Sequence, residues 1–131
     1  MTHFATGTFE VSMTPATPPQ NEEGVALGRL TLEKRYAGAL VATGAGQMLT
    51  AVTDTSGSAA YVAIERISGT LDGRGGSFVV RHSGAMSGGA EQLALLIVAD
   101  SGTRQLRGIS GGMTITSAEQ GHTYALSYCL P

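Results

Sequence analysis

The chain has 131 residues, the length of one ordinary domain, and is long enough to bury a core without disulfide or metal staples. Its 19 glycines, set in a 42% hydrophobic composition with no three-residue period, exclude collagen and disorder and point to many turns. A formal net charge of -2, with Lys34 the sole lysine, argues against an electrostatic nucleic-acid binder, and a single cysteine, Cys129, excludes an internal disulfide or a thiolate zinc cluster.

Elements follow one another as strands. Apolar residues alternate with polar ones and are rich in Val, Ile, Thr, Tyr and Phe between glycine-bearing breaks. The N-terminal stretch carries no basic region followed by an apolar run, and the longest apolar segment, Leu93 to Ala99, is far too short to span a bilayer as a helix. The expectation is a soluble cytoplasmic protein with neither membrane nor nucleic-acid partner. Strands are predicted over residues 3–13, 27–36, 38–52, 58–71, 76–86, 92–99, 104–116 and 122–129. Residues 14–24 hold three of the four prolines and read as a polar loop, because proline cannot donate to a sheet ladder. Eight strands at this spacing fit either a sandwich or a barrel. Closure removes exposed edges, so the expected fold is all-β: a single eight-stranded antiparallel up-and-down β-barrel over residues 1–131.

Three hairpins give more detail. If Gly73-Arg74 forms a tight two-residue turn, Glu65 lies directly opposite His82, on a face shared with Tyr61 opposite Met86, Ile67 opposite Val80 and Gly69 opposite Phe78. A loop longer by one residue would set Glu65 opposite Ser83 or Arg81 instead. The reverse face carries Arg66 opposite Arg81. A turn at Ser101-Gly102 would place Ile97 opposite Leu106, and a turn at Glu119-Gln120 would bring Met113 and Ile115 beside Tyr124 and Leu126. Leu93 to Val98 is apolar on both faces, which predicts that its outer side is covered by the proline-rich segment or by another subunit, making residues 92–99 the expected homo-oligomer contact.

Glu65 and His82 are the acid and histidine expected together on an apolar face. Burial would raise the carboxylate pKa and lower that of the imidazole, while their attraction opposes both shifts, so the pair would suit a general base near neutral pH. The competing reading is a satisfied polar pair that stiffens the barrel, or one pointing outward. Tyr36, Tyr61, Tyr124 and Tyr128 would offer hydroxyls to the lumen, although single tyrosines more often pack with their tips satisfied at a rim.

Other motifs are weak. Gly108-Ile109-Ser110-Gly111-Gly112 matches the G-x-S-x-G string but lacks the helix that a nucleophile elbow requires. Gly44-Ala45-Gly46 lacks the third glycine of a dinucleotide fingerprint and reads as a flexible or bulged strand. His3, His82 and His122 show no metal-ligand spacing, so neither metal nor cofactor is expected. Cys129 reads as a small buried hydrophobe.

Four strings, Thr6 to Val11, Gly57 to Arg66, Gly75 to Gly84 and Asp100 to Gly111, together resemble a bacterial family of uncharacterised proteins whose fold is similar to the allene oxide cyclase barrel. The resemblance covers nearly the whole chain. It implies an eight-stranded barrel, often oligomeric, with an internal cavity, in a shape class whose members steer ring closure or coupling of reactive apolar substrates. No functional residue of the plant enzyme transfers, for want of a local motif match.

The resulting expectation is a barrel that binds a small hydrophobic ligand in its lumen and acts as a cofactor-independent cyclase or isomerase. Its alternatives are a carrier without chemistry and a barrel filled by its own side chains. Glu65 and His82 would be catalytic, and Tyr61, Phe78, Tyr36, Tyr124 and Met86 would contact the ligand. Gly69, Gly76 and Gly84 on the inner face would leave it space.

Overall fold

A computed structural model describes residues 1–131 and shows β1 (His3–Pro15), β2 (Gln20–Glu22), β3 (Val25–Gly38), β4 (Leu40–Thr53), β5 (Ala59–Leu71), β6 (Arg74–Ser87), β7 (Ala90–Ile97), β8 (Ser110–Ala118) and β9 (Gly121–Cys129). Each long strand pairs antiparallel with the next, and β1 closes the ring by pairing with β3 on one edge and β9 on the other. The result is a closed eight-stranded up-and-down barrel, with β2 as one extra short strand on β3. Closure gives every barrel strand a partner on both edges, although β7 and β8 pair only through Leu95 with Met113 and Leu96 with Gly112.

Burial follows the period-two pattern of the sequence. Leu32, Lys34 and Tyr36 of β3 point inward, as do Ala63, Glu65, Ile67 and Leu71 of β5, while Glu33, Arg35, Ile64 and Arg66 point to solvent. No helix is long and apolar enough to cross a membrane.

The two ends of the barrel differ. One half is filled by a cluster that includes Phe9, Tyr36, Ile67, Phe78, Leu106, Leu126 and Tyr128. The other half holds only the small cluster of Leu32, Met48 and Ala63, and its rim residues Met13, Val52 and Met86 are 48%, 51% and 40% exposed.

Several expectations need correction. The β5–β6 turn is Asp72-Gly73, where both residues have positive φ, 49° and 82°, as a type I′ turn demands. Asp-Gly meets that demand better than Gly-Arg. The register is therefore two residues from the expected one: Glu65 is opposite Val80, Tyr61 opposite Gly84, Ile67 opposite Phe78 and Gly69 opposite Gly76. Arg66 faces Val79, so the like-charge pair with Arg81 does not form. A shift of two preserves which face each side chain occupies.

Ser101-Gly102 is not a hairpin turn either. Residues 98–109 form a loop with a short 3-10 turn, Arg104–Leu106, and β8 begins only at Ser110. The loop folds over the end of β6, with the Gly75 N–H donating to Gln105 Oε1 at 2.7 Å and the Ser77 N–H to Thr103 Oγ1 at 2.9 Å. Leu106 and Ile109, each 1% exposed, plug that end of the barrel.

Residues 14–24 are more ordered than a loop: Pro15 ends β1 opposite Leu30, and β2 forms a hairpin with β3. Pro15 and Pro19 lie beside β3 and β4, and Leu96 on β7 remains 40% exposed, so this segment does not cover β7. The Glu119-Gln120 turn is as expected, pairing Met113 with Leu126 and Ile115 with Tyr124.

Candidate functional site

A polar layer separates the filled half of the barrel from the open half. It is built on Glu65, which is 0% exposed. The Nε2 of His82 lies 2.9 Å from Glu65 Oε1, the Lys34 ammonium lies 3.1 Å from the same oxygen, and the Tyr36 hydroxyl donates to Oε2 at 2.6 Å. Lys34 and His82 are 7% and 6% exposed. The Lys34 ammonium also lies over the rings of Phe9 and Tyr36, 5.1 and 5.8 Å from their centroids.

Small residues of β4 make this layer possible. Lys34 and Tyr36 stand on β3 and Glu65 on β5, with β4 between them. The inward positions of β4 next to this layer are Ala42, Gly44 and Gly46, so side chains from both neighbours meet over them. The Gly44-Ala45-Gly46 string thus clears room for an ion pair.

The environment of Glu65 fixes its charge state. Burial pushes its carboxyl pKa up, but the His82 hydrogen bond, the Lys34 charge and the Tyr36 hydrogen bond outweigh it and hold the group below the usual carboxylate range. Glu65 is therefore an anion with three donors, a weaker base than an isolated buried acid. An ionised carboxylate only accepts, so His82 Nε2 carries the proton of their bond. The Tyr36 hydroxyl is pushed far up by burial and by the adjacent carboxylate, and it stays protonated.

Two adjoining cavities lie above this layer. The inner one, about 110 Å3, is lined by Phe9, Leu32, Lys34, Tyr61, His82 and His122 among others. The outer one, about 200 Å3, extends from Met48 and Tyr61 past Val52 to Met86 and Glu91 at the rim. Met48 and Tyr61 border both.

A model of the family described as "Protein of unknown function (DUF3224)" matches residues 5–128. The chain belongs to the DUF3224 family. Its structure is similar to the crystal structure at 1.84 Å resolution of a DUF3224 protein of unknown function from Shewanella oneidensis MR-1, with a TM-score of 0.95 and 42% sequence identity over 100% of this chain and 98% of the other. No curated protein matches the chain.

Within this DUF3224 barrel the expected site residues divide into groups. Glu65, His82 and Tyr36 come together in the polar layer, and Tyr61 and Met86 line the cavities. Phe78 is buried in the filled half, within the main core. Tyr124 packs edge-on against Tyr36, but its hydroxyl is engaged elsewhere: it accepts the Leu40 N–H at 2.9 Å and donates to the Ala37 carbonyl at 2.9 Å.

The inner-face glycines do not leave the space expected of them. A β-carbon on Gly84 would lie 2.3 Å from the Tyr61 ring, one on Gly76 2.3 Å from the Thr103 carbonyl, and one on Gly69 2.2 Å from the Val41 carbonyl. All three are filled by close neighbours.

Lys34 and His122 were not among the expected site residues. The signal for Lys34 was its place in the alternation of Leu30, Leu32, Lys34 and Tyr36, which puts the chain's one lysine on an apolar face. His122 stacks on Phe9 with ring centroids 5.0 Å apart, and its Nδ1 lies 2.8 Å from Ser117 Oγ.

Proposed function

We propose that the barrel binds a small, mostly apolar molecule in the open half of its lumen, with its polar end against Lys34 and His82. The observation that carries this reading is the pairing of an apolar-walled cavity with two polar side chains, each more than nine-tenths buried, at its inner end. One ring nitrogen of His82 is bound to Glu65, and its Nδ1 has no protein partner. No buried side-chain nitrogen or oxygen lacks a partner, so Nδ1 is accessible.

In the finer reading the barrel is a cofactor-independent isomerase or cyclase, as the resemblance to the allene oxide cyclase barrel suggests. The two members of the pair then take different roles. His82, whose Nδ1 is free, accepts and returns a substrate proton, while Glu65 orients the ring and stabilises the imidazolium that forms. A carrier without chemistry is the second reading, favoured by the engagement of Glu65 with three donors of the protein itself, as in a satisfied structural ion pair. Self-association through β7 in a cytoplasmic setting completes the proposal, supported by the exposed Ile64 and Leu96 on either side of Arg81 on the outer sheet.

Native mass spectrometry of the purified protein, followed by product analysis after a single turnover of any co-purified ligand, tests this. A bound small molecule returned unchanged supports the carrier, and a rearranged product supports the enzyme. With a substrate in hand, His82→Gln should abolish turnover, whereas Glu65→Gln should leave residual activity with an altered pH profile. Full activity in His82→Gln would overturn this assignment of roles.

A further inference from the structure

The polar layer holds more basic side chains than acidic ones, and the inner cavity opens onto it. We propose that the ligand is an apolar monocarboxylate whose carboxylate rests on Lys34, and that its binding is coupled to the charging of His82; this rests on the binding reading above.

Lys34 and His82 both approach Glu65 Oε1, at 3.1 and 2.9 Å, while the Tyr36 hydroxyl takes Oε2. One carboxylate thus serves two basic side chains in a layer where all three are more than nine-tenths buried. Buried charges are almost always paired. A ligand carboxylate brings the layer to two anions, which Lys34 and a protonated His82 match. With His82 neutral, the same ligand would leave one buried anion uncompensated, so ligand and proton each strengthen the binding of the other. The coupling holds whichever form His82 takes in the empty barrel, because that form sets only the pH at which proton uptake begins.

Contact with the ligand falls to Lys34. Its ammonium has three donors, one of them directed at Glu65 Oε1, and it lies 5.1 Å from the centroid of Phe9, which lines the inner cavity together with Lys34. His82 acts through the carboxylate oxygen it shares with Lys34 and needs no contact of its own. The remaining walls, among them Leu32, Met48 and Tyr61, suit an alkyl or ring body.

Few other titratable groups face this pair. β3 adds Tyr36, β5 adds Glu65 and Tyr61, and β9 adds His122. Val11 of β1 and Gly44 of β4 stand beside Lys34, Leu95 of β7 stands beside His82, and β8 presents Ile115 and Ser117. Glu91, at the rim of the outer cavity, opposes the entry of an anion.

The test is isothermal titration calorimetry of hexanoate and 1-hexanol from about pH 5.5 to about pH 9, in about 0.15 M salt to screen Glu91. At the acid end hexanoate should bind at least about tenfold more tightly than hexanol, the margin of a hydrogen bond between charged groups over a neutral one. Toward the alkaline end its affinity should fall by about tenfold per pH unit, with about one proton taken up per hexanoate, while that of hexanol stays level. Hexanol binding as tightly as hexanoate at the acid end would overturn the inference and leave the cavity reading standing, as would a hexanoate affinity that stays level throughout. Binding of neither would overturn the binding reading itself. His82→Gln, which keeps a donor for Glu65, should flatten the hexanoate profile, and His122→Gln should leave it sloping. The opposite pattern would overturn the assignment to His82. Because Lys34 is the sole lysine, 13C-lysine labelling of the parent gives one side-chain signal, which should shift as hexanoate saturates. A signal that stays in place would overturn the contact with Lys34.

Discussion

Gly44 and Glu65 compete for one volume: a β-carbon on Gly44 would lie 2.1 Å from Glu65 Oε2 and 3.0 Å from its carboxyl carbon. The carboxylate cannot simply swing aside, because Tyr36, Lys34 and His82 hold it on both oxygens. Gly44→Ala should therefore destabilise the barrel by about 1–3 kcal/mol, the usual range for overpacking. Urea unfolding should show a lowered midpoint at unchanged slope. A Gly44→Ala variant as stable as the parent would mean that Glu65 has another place to go.

Lys34 and Glu65 form a buried ion pair, so removing one partner strands the other. Lys34→Met alone should cost about 3–5 kcal/mol, while Lys34→Met combined with Glu65→Leu should recover most of that loss, because two neutral side chains leave no buried charge. A double-mutant cycle on unfolding free energies checks this. Simple additivity of the two single effects would contradict the pairing.

The pH dependence of stability follows from the same carboxylate. Its folded-state pKa is depressed below the ordinary value of 4.5, so the unfolded chain binds its proton first as pH falls. The stabilisation is complete above about pH 4.5 and is lost as pH drops through the folded value. Urea midpoints of the parent should fall on acidification through this window. Glu65→Gln should start less stable near neutrality and show a shallower acid slope, and an identical slope would remove Glu65 from the acid transition.

All four tyrosines are held protonated beyond their ordinary range, burial being the largest cause at each. Tyr128, buried and hydrogen-bonded to Asp72, is pushed up to about 12. Folded-state values above the unfolded one mean stability that is present below about pH 10 and lost as pH rises beyond it. Ultraviolet absorbance should show little tyrosinate at pH 10 and then a steep rise together with unfolding. A smooth titration of four residues centred on pH 10 would contradict the burial.

Tyr61 divides the lumen, since it borders both cavities and packs against Gly84. Tyr61→Ala should merge the two spaces, so that in a series of linear carboxylates the tightest binder becomes longer by several carbons. Isothermal titration calorimetry of the series measures it, and an unchanged optimum would show that the ring is no partition.

Much of the site was readable because strand alternation is forgiving in one respect. Mistaking the Asp72-Gly73 turn for Gly73-Arg74 moved the register by two residues and left Glu65 and His82 on the inner face, where they meet diagonally across β5 and β6. Lys34 was less visible because its contact with Glu65 skips a strand, and pairing rules describe only adjacent strands. That contact depends on Gly44 and Gly46, whose small size signals absence rather than chemistry. The loop over residues 98–109 was misread as a strand hairpin because Ser101-Gly102 offers a two-residue turn that would set Ile97 opposite Leu106, yet Leu106 and Ile109 are buried as a plug through a 3-10 turn.

The closure of the ring by β1 sets the order in which the barrel can be assembled. β1 can join β3 as soon as both have left the ribosome, but its other edge pairs with β9, His3 with Tyr128 and Ala5 with Leu126. Those contacts are among the most distant in the chain, so their loop-closure entropy falls on the last step. Until β9 arrives, an unpaired edge of β1 and the unplugged inner faces stay open to other chains. Nascent copies synthesised side by side would thus be most prone to exchanging strands just before the last segment emerges.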